Sequence, residues 1–172
     1  MQPDLKNTRS VLFVCLGNIC RSPLAEGVFR AQLRDSGLQD HITVDSAGTG
    51  TWHVDCPPDP RSIETANIHG LDITAQRGRQ VAPEDFDNFD LILAMDRSNF
   101  ATLTARAPSS ARKKIFLFMD ITLGQEVDVP DPYYDDDGFK NVYRMLREGS
   151  SALLRSLSGD DGSLRGNPSS TT

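Results

Sequence analysis

The sequence predicts an α/β fold, a three-layer sandwich in which a four-stranded parallel sheet is doubly wound with helices on both faces. Three observations predict it. Short apolar runs recur at residues 11–14, 42–44, 91–95 and 115–119. Helical patterns lie between them, and strand alternating with helix implies parallel strands joined by right-handed crossovers. The first run is continuous rather than alternating, as a strand buried on both faces requires.

The elements follow in order. Val11-Leu12-Phe13-Val14 is the first strand. Ser22-Pro23 then reads as a side-chain cap followed by proline at the first helical position. Leu24, Val28 and Phe29 mark one face of that helix, which stops near Ser36-Gly37. Ile42 to Val44 gives the second strand, and Asp59-Pro60 opens a helix carrying Ile63 and Ala66 that closes at Gly70. Leu91 to Met95 is the third strand, with a helix over Asp96 to Ala105, and Ile115 to Met119 is the fourth. Phe139, Val142, Leu146, Leu153 and Leu157 keep near-helical spacing over several turns of a last helix. No internal repeat is visible.

A chain of 172 residues fits one domain with a single sizeable core. Its expected extent is 11–157, with 1–10 as a flexible segment and the Ser/Gly/Asp/Pro-rich 158–172 as a disordered tail. Asp and Glu number 24 against 18 Lys and Arg, a formal net charge of −6. That balance argues against nucleic acid and against an anionic membrane surface as partners. No apolar stretch is long enough to span a bilayer, and Met1 to Ser10 lacks a signal-peptide core. Three cysteines, an odd number, suit a reducing compartment. The expectation is a cytoplasmic monomer that needs no cofactor.

Cys15-Leu16-Gly17-Asn18-Ile19-Cys20-Arg21-Ser22 is the most informative stretch. In open parallel sheets ligands sit beyond the carboxyl ends of the strands, where this loop leaves the first strand. Strand, tight loop and helix N-terminus make an anion site of inward backbone N–H groups and a positive dipole end. Arg21 adds a planar fork that can hold two phosphate oxygens at once. The same field favours a thiolate at Cys15. Nucleophile, oxyanion cradle and phosphate clamp thus fit within eight residues. Cys15 and Cys20 also invite a metal reading, but zinc sites need four ligands at tighter spacing. With three Cys and three His in the chain, no metal is expected.

Hydrolysis of an aryl phosphate also needs an acid for the departing phenolate. Val129 to Gly138 supplies candidates after the fourth strand. Asp131 stands between Pro130 and Pro132, in a stiff backbone that would hold one carboxyl still. Asp135, Asp136 and Asp137 read as a solvated turn and helix start.

Cys-x5-Arg-Ser after a buried strand, with a late Asp-Pro-Tyr, resembles the low-molecular-weight protein tyrosine phosphatase family. The resemblance runs from about Val11 to Leu157. It is carried by Cys15 to Pro23, Asp45-Ser46-Ala47-Gly48-Thr49, Trp52-His53, Asp59-Pro60-Arg61-Ser62, Arg79-Gln80, Ala94-Met95-Asp96 and Asp131-Pro132-Tyr133. It implies a hydrolase acting on phosphotyrosine-containing proteins. Cys15 would form a cysteinyl-phosphate, Arg21 would hold the equatorial oxygens, and Asp131 would serve as acid and then as base toward water. It further implies that Leu16, Gly17, Asn18, Ile19, Cys20, Arg21 and Ser22 bind the phosphate. Ser22 would hydrogen-bond the thiolate, while Asn18, with Ser46 as support, braces the loop's unusual backbone. Leu16, Ile19, Trp52 and Tyr133 would form an apolar slot for a planar ring, too deep for phosphoserine. Cys20 would pair reversibly with Cys15 and protect it from over-oxidation.

Two positions depart from the family pattern. Gln76 stands where many relatives have a His that supports the phosphate loop, so that support is rewired or absent. Cys56 replaces a frequent Gly and reads as an exposed or half-buried loop thiol. His41, His53 and His69 are expected at structural or surface positions rather than in catalysis. Rival readings are a protein-arginine phosphatase, which by resemblance carries Thr in place of Ile19, and an arsenate reductase. The latter needs two later cysteines, and none follows Cys56. A phosphate-binding module without catalysis would have no use for Cys15, Arg21 and Asp131 together.

Overall fold

A computed structural model describes residues 3–159. Four parallel strands, β1 (Ser10–Cys15), β2 (Thr43–Gly48), β3 (Leu91–Ala94) and β4 (Ile115–Leu117), lie in the order β2-β1-β3-β4. The helices are α1 (Arg21–Asp35), α2 (Pro60–Ile68), α3 (Asp85–Asn88), α4 (Arg97–Arg106), α5 (Phe118–Leu123) and α6 (Gly138–Leu157). This is the doubly wound α/β sandwich that the alternation predicts.

The central strands are buried on both faces, which explains their unbroken apolar sequences. Val11 and Phe13 of β1, with Leu91 and Leu93 of β3, enter the larger core with Leu24, Phe29, Phe118 and Leu146. Leu12 and Val14, with Ile92 and Ala94, enter the smaller core with Phe86 and Leu103. Period-two alternation therefore divides each strand between two apolar layers. Phe13 is the hinge of the larger core, its ring meeting those of Phe29 and Phe118 edge-on at 5.8 and 6.0 Å. The apolar stripe of α6 is buried at every predicted position. Gly149 lets that helix close on α5, since a Cβ there would lie 2.5 Å from Phe118 Cζ.

The structure corrects several expected boundaries. β2 runs on through Asp45 to Gly48, pairing with β1 although polar residues interrupt the apolar run. β4 stops at Leu117, and Phe118 and Met119 open α5 instead. Both are buried, and a short apolar run does not by itself distinguish a strand from a buried helical turn. α1 begins at Arg21 with no side-chain cap, so Ser22 is not its cap and Pro23 is not its first residue. Asp59, by contrast, caps α2 by accepting from Arg61 N–H, with Pro60 following. Near the N-terminus Leu5 packs in the larger core and Arg9 N–H donates to Asp90. Of the C-terminal segment, 160–172 lies outside the described residues. Among the described residues no helix is long and apolar enough to cross a membrane.

Replacing Phe13 with Ala removes the shared partner of two aromatic contacts. The expected loss is about 3–5 kcal/mol in urea unfolding, the range for a large buried ring.

Candidate active site

The strand order places the carboxyl ends of β1 and β3 side by side, where their connections depart toward opposite edges of the sheet. Cys15 ends β1, and residues 16–20 carry the chain into α1. Thr49 and Gly50 amides donate to the carbonyls of Cys15 and Leu16, both at 2.9 Å, and so turn those carbonyls away from the loop's interior. The loop packs closely on β2 because residue 48 is glycine; a Cβ there would lie 2.7 Å from Leu16 O. Among the described residues, the amides of 16–20 donate to no carbonyl or side chain. A row of unpaired amides before a helix N-terminus is suited to an anion.

Asn18 holds that shape. Its φ of 55° is in the left-handed region, which Asn tolerates better than most side chains. Its Nδ2 donates to Ser22 Oγ at 2.8 Å and to Ser46 Oγ at 3.0 Å, and its Oδ1 accepts from Arg79 N–H at 3.0 Å. Because Ser22 Oγ accepts from Asn18, its own proton is available to Cys15 Sγ, 3.1 Å away. A second acceptor, Ala47 O, lies farther off at 3.4 Å. Ser46 Oγ passes the chain on by donating to Glu26 Oε1 at 2.9 Å. Burial pushes the Glu26 carboxyl up from the usual range, against the pull of Arg30 and Ser46.

Arg21 is 2% exposed. Its Nη1 donates to Asp96 Oδ2 at 2.6 Å and to Val129 O at 2.9 Å, and its Nη2 lies 3.6 Å from Asp131 Oδ2. Burial disfavours its charge, but Cys15, Asp96 and Asp131 outweigh that and hold its pKa above the usual value. Asp96, just after β3, also caps α4 by accepting from Asn99 N–H. For Cys20 burial comes first, and Asp59, Cys15 and Asp131 add to it, so its thiol is pushed far up despite Arg61. The two cysteines of the loop therefore differ in kind. Cys15 Sγ lies 3.1 Å from a hydroxyl, whereas Cys20 packs with Ile19 and Phe139.

These groups converge on an open cleft of about 400 Å³. Cys15, Arg21 and Asp131 line it together, as do the expected walls Leu16, Ile19, Trp52 and Tyr133. Ile19 is 8% exposed, on the inner wall, while Trp52, at 72%, stands on the rim. Asn18, Ser22 and Ser46 lie beneath the loop rather than in the cleft. His53, half-buried, also lines the cleft. Cys56 is half-buried, with its carbonyl accepting from Gly78 N–H. Gln76 donates from Nε2 to Pro23 O at 3.0 Å and is not among the hydrogen-bond partners of Asn18.

Asp96, Val129 and Glu26 were not expected in the site. Asp96 carried a signal, a carboxylate directly after a buried strand at the sheet's carboxyl edge. Its pairing with Arg21, 75 positions away, needs the fold to be seen.

Comparison with known proteins agrees with this geometry. The family profile described as Low molecular weight phosphotyrosine protein phosphatase matches residues 10–162. The chain is 45% identical over 150 residues to the low molecular weight phosphotyrosine protein phosphatase of Schizosaccharomyces pombe, covering 86% of this chain and 96% of that one. It is 43% identical over 153 residues to the Sus scrofa protein so named, covering 87% and 96%. Its fold matches the crystal structure of a protein tyrosine phosphatase from Entamoeba histolytica with Hepes in the active site. That match has a TM-score of 0.83 and 37% identity, over 91% of this chain and 100% of the other. With a profile spanning nearly the whole chain and relatives matched almost end to end, the chain belongs to the low molecular weight phosphotyrosine protein phosphatase family, a class of hydrolases.

Proposed function

We propose that this chain hydrolyses phosphotyrosine in proteins, and small aryl phosphates, through a cysteinyl-phosphate intermediate. The observation that carries the reading is the convergence of Cys15, Arg21 and Asp131 on one cleft floored by unpaired amides. Cys15 Sγ attacks phosphorus in line with the phenolic oxygen. The S–P bond forms as the P–O bond breaks, and the electron pair leaves on that oxygen. Arg21 and the amides of 16–20 hold the three equatorial oxygens, where charge gathers in the transition state. Asp131 gives its proton to the departing oxygen, then takes one from the water that cleaves the S–P bond.

Ile19 and Tyr133 favour an aryl ester over phosphoarginine, since they offer apolar surface to a planar ring. Cys20, in the same cleft, is the proposed partner for a Cys15 sulfenic acid formed by peroxide. The two condense to a disulfide with loss of water, and a thiol reductant reverses it. A monomer working in the cytoplasm completes the reading.

Cys15→Ser is expected to abolish turnover of p-nitrophenyl phosphate and phosphotyrosine peptides; surviving turnover would remove Cys15 from the mechanism. Asp131→Asn should lower kcat/KM on phosphotyrosine by roughly 10²-fold, yet change it little on dinitrophenyl phosphate, whose leaving group needs no proton. Higher activity on phosphoarginine than on phosphotyrosine would overturn the substrate assignment. The loop's backbone can be tested through Asn18. Asn18→Gly loses the amide bonds but keeps the left-handed conformation, whereas Asn18→Ala loses both. Ala is therefore expected to be less stable than Gly by about 1 kcal/mol in thermal unfolding. Equal stability would mean that φ at residue 18 carries no strain.

A further inference from the structure

We infer that Arg61 is a positioning residue that clamps the loop carrying Asp131 to the base of the phosphate loop. The inference rests on the reading of Asp131 as the acid.

Arg61 lies in the first turn of α2, with its guanidinium fixed on both oxygens of the capping Asp59. Nε donates to Oδ1 at 3.0 Å and Nη2 to Oδ2 at 2.8 Å. Asp59 is anchored in turn, its N–H donating to Ile19 O at 2.8 Å, and the neighbouring Ser62 Oγ donates to Cys20 O at 2.9 Å. The first turn of α2 is thus bonded to the phosphate loop at two successive carbonyls. The remaining arm of the guanidinium, Nη1, reaches across to Asp136 Oδ1 at 2.6 Å. Its carbon lies 5.6 Å from the ring centre of Tyr133 and 4.9 Å from that of Phe139.

The loop of residues 130–137 buries Pro132 but makes few other polar contacts beyond itself. Its other hydrogen bonds among the described residues are local, from Tyr133 N–H to Asp131, Asp135 N–H to Pro132 O, Asp137 N–H to Asp135 and Gly138 N–H to Asp135 O. Asp131 itself meets Arg21 only at 3.6 Å. Arg61 is therefore the side chain that joins this loop to α2. An exposed ion pair such as that with Asp136 contributes little alone. What makes this one a clamp is a planar group already immobilised by Asp59 and stacked against two rings, a geometry that Lys cannot reproduce.

A clamp on the acid loop should matter only when the leaving group needs a proton. The test is kcat/KM, which reports the first chemical step, on phenyl phosphate and on dinitrophenyl phosphate. Arg61→Met should lower it about tenfold on phenyl phosphate and less than about twofold on dinitrophenyl phosphate, and Arg61→Lys should behave like Met. Equal losses on the two esters, no loss, or full rescue by Lys would overturn the proposal. If Arg61→Met does not fold, Asp136→Asn carries the same test from an exposed side chain, with a selective loss of about threefold expected and an unselective or absent loss contradicting. Asp131→Asn measured alongside separates the two claims. A selective loss there with none in Arg61→Met sinks only the clamp, whereas an unselective loss in Asp131→Asn sinks the acid assignment and the clamp with it.

Discussion

A guanidinium that is almost wholly buried must find its counter-charge on the spot, and Arg21 finds it in Asp96 at 2.6 Å. Removing one member of such a pair costs about 3–5 kcal/mol, because the other is left buried and uncompensated. The pair therefore fixes more than itself. Arg21 opens α1, Asp96 follows β3, and Val129, whose carbonyl takes a second bond, leads into the segment carrying Asp131. Three separate parts of the chain are brought to one edge of the sheet by a single side chain. The charge they confine faces the cleft beside Cys15, so the structural pair and the proposed chemistry meet in the same group.

The loop between Cys15 and Arg21 meets the complementary demand. A phosphate cradle needs amides that are not spent on the protein's own carbonyls, and a backbone left so has little to hold it. Asn18 supplies the support from beneath, through Ser22, Ser46 and the Arg79 amide. The chain ends on Glu26, a buried carboxyl that Arg30 and Ser46 hydrogen-bond. Gln76 fits this picture as a brace of α1 through Pro23, leaving Asn18 to the serines.

Much of this was legible in the sequence. The continuous run of β1 and the spacing along α6 are direct traces of burial, and they declare the layers. Cys15 and Arg21 stand out because thiol and guanidinium each sit at an element boundary, and Asp131 because it lies between two prolines. What the sequence hid falls into two kinds. Phe118 and Met119 read as strand because a buried helical turn and a buried strand have the same short apolar signature. Asp96 and Arg61 were not singled out as site residues, because Arg21 and Asp136, which they meet, each lie 75 positions away and pairing over such separations exists only after folding.

The central claim is that phosphate passes through Cys15. Rapid mixing with dinitrophenyl phosphate, a denaturing quench and peptide mass spectrometry test it directly. Asp131→Ala is the variant of choice, since the proposed roles predict that it forms the intermediate from this ester but, lacking the base, hydrolyses it slowly. The predicted result is one phosphoryl group on the peptide containing Cys15, accumulating before the steady state and absent in Cys15→Ser. Phosphate on another residue, or product release with no phosphorylated protein at any time, would contradict the account.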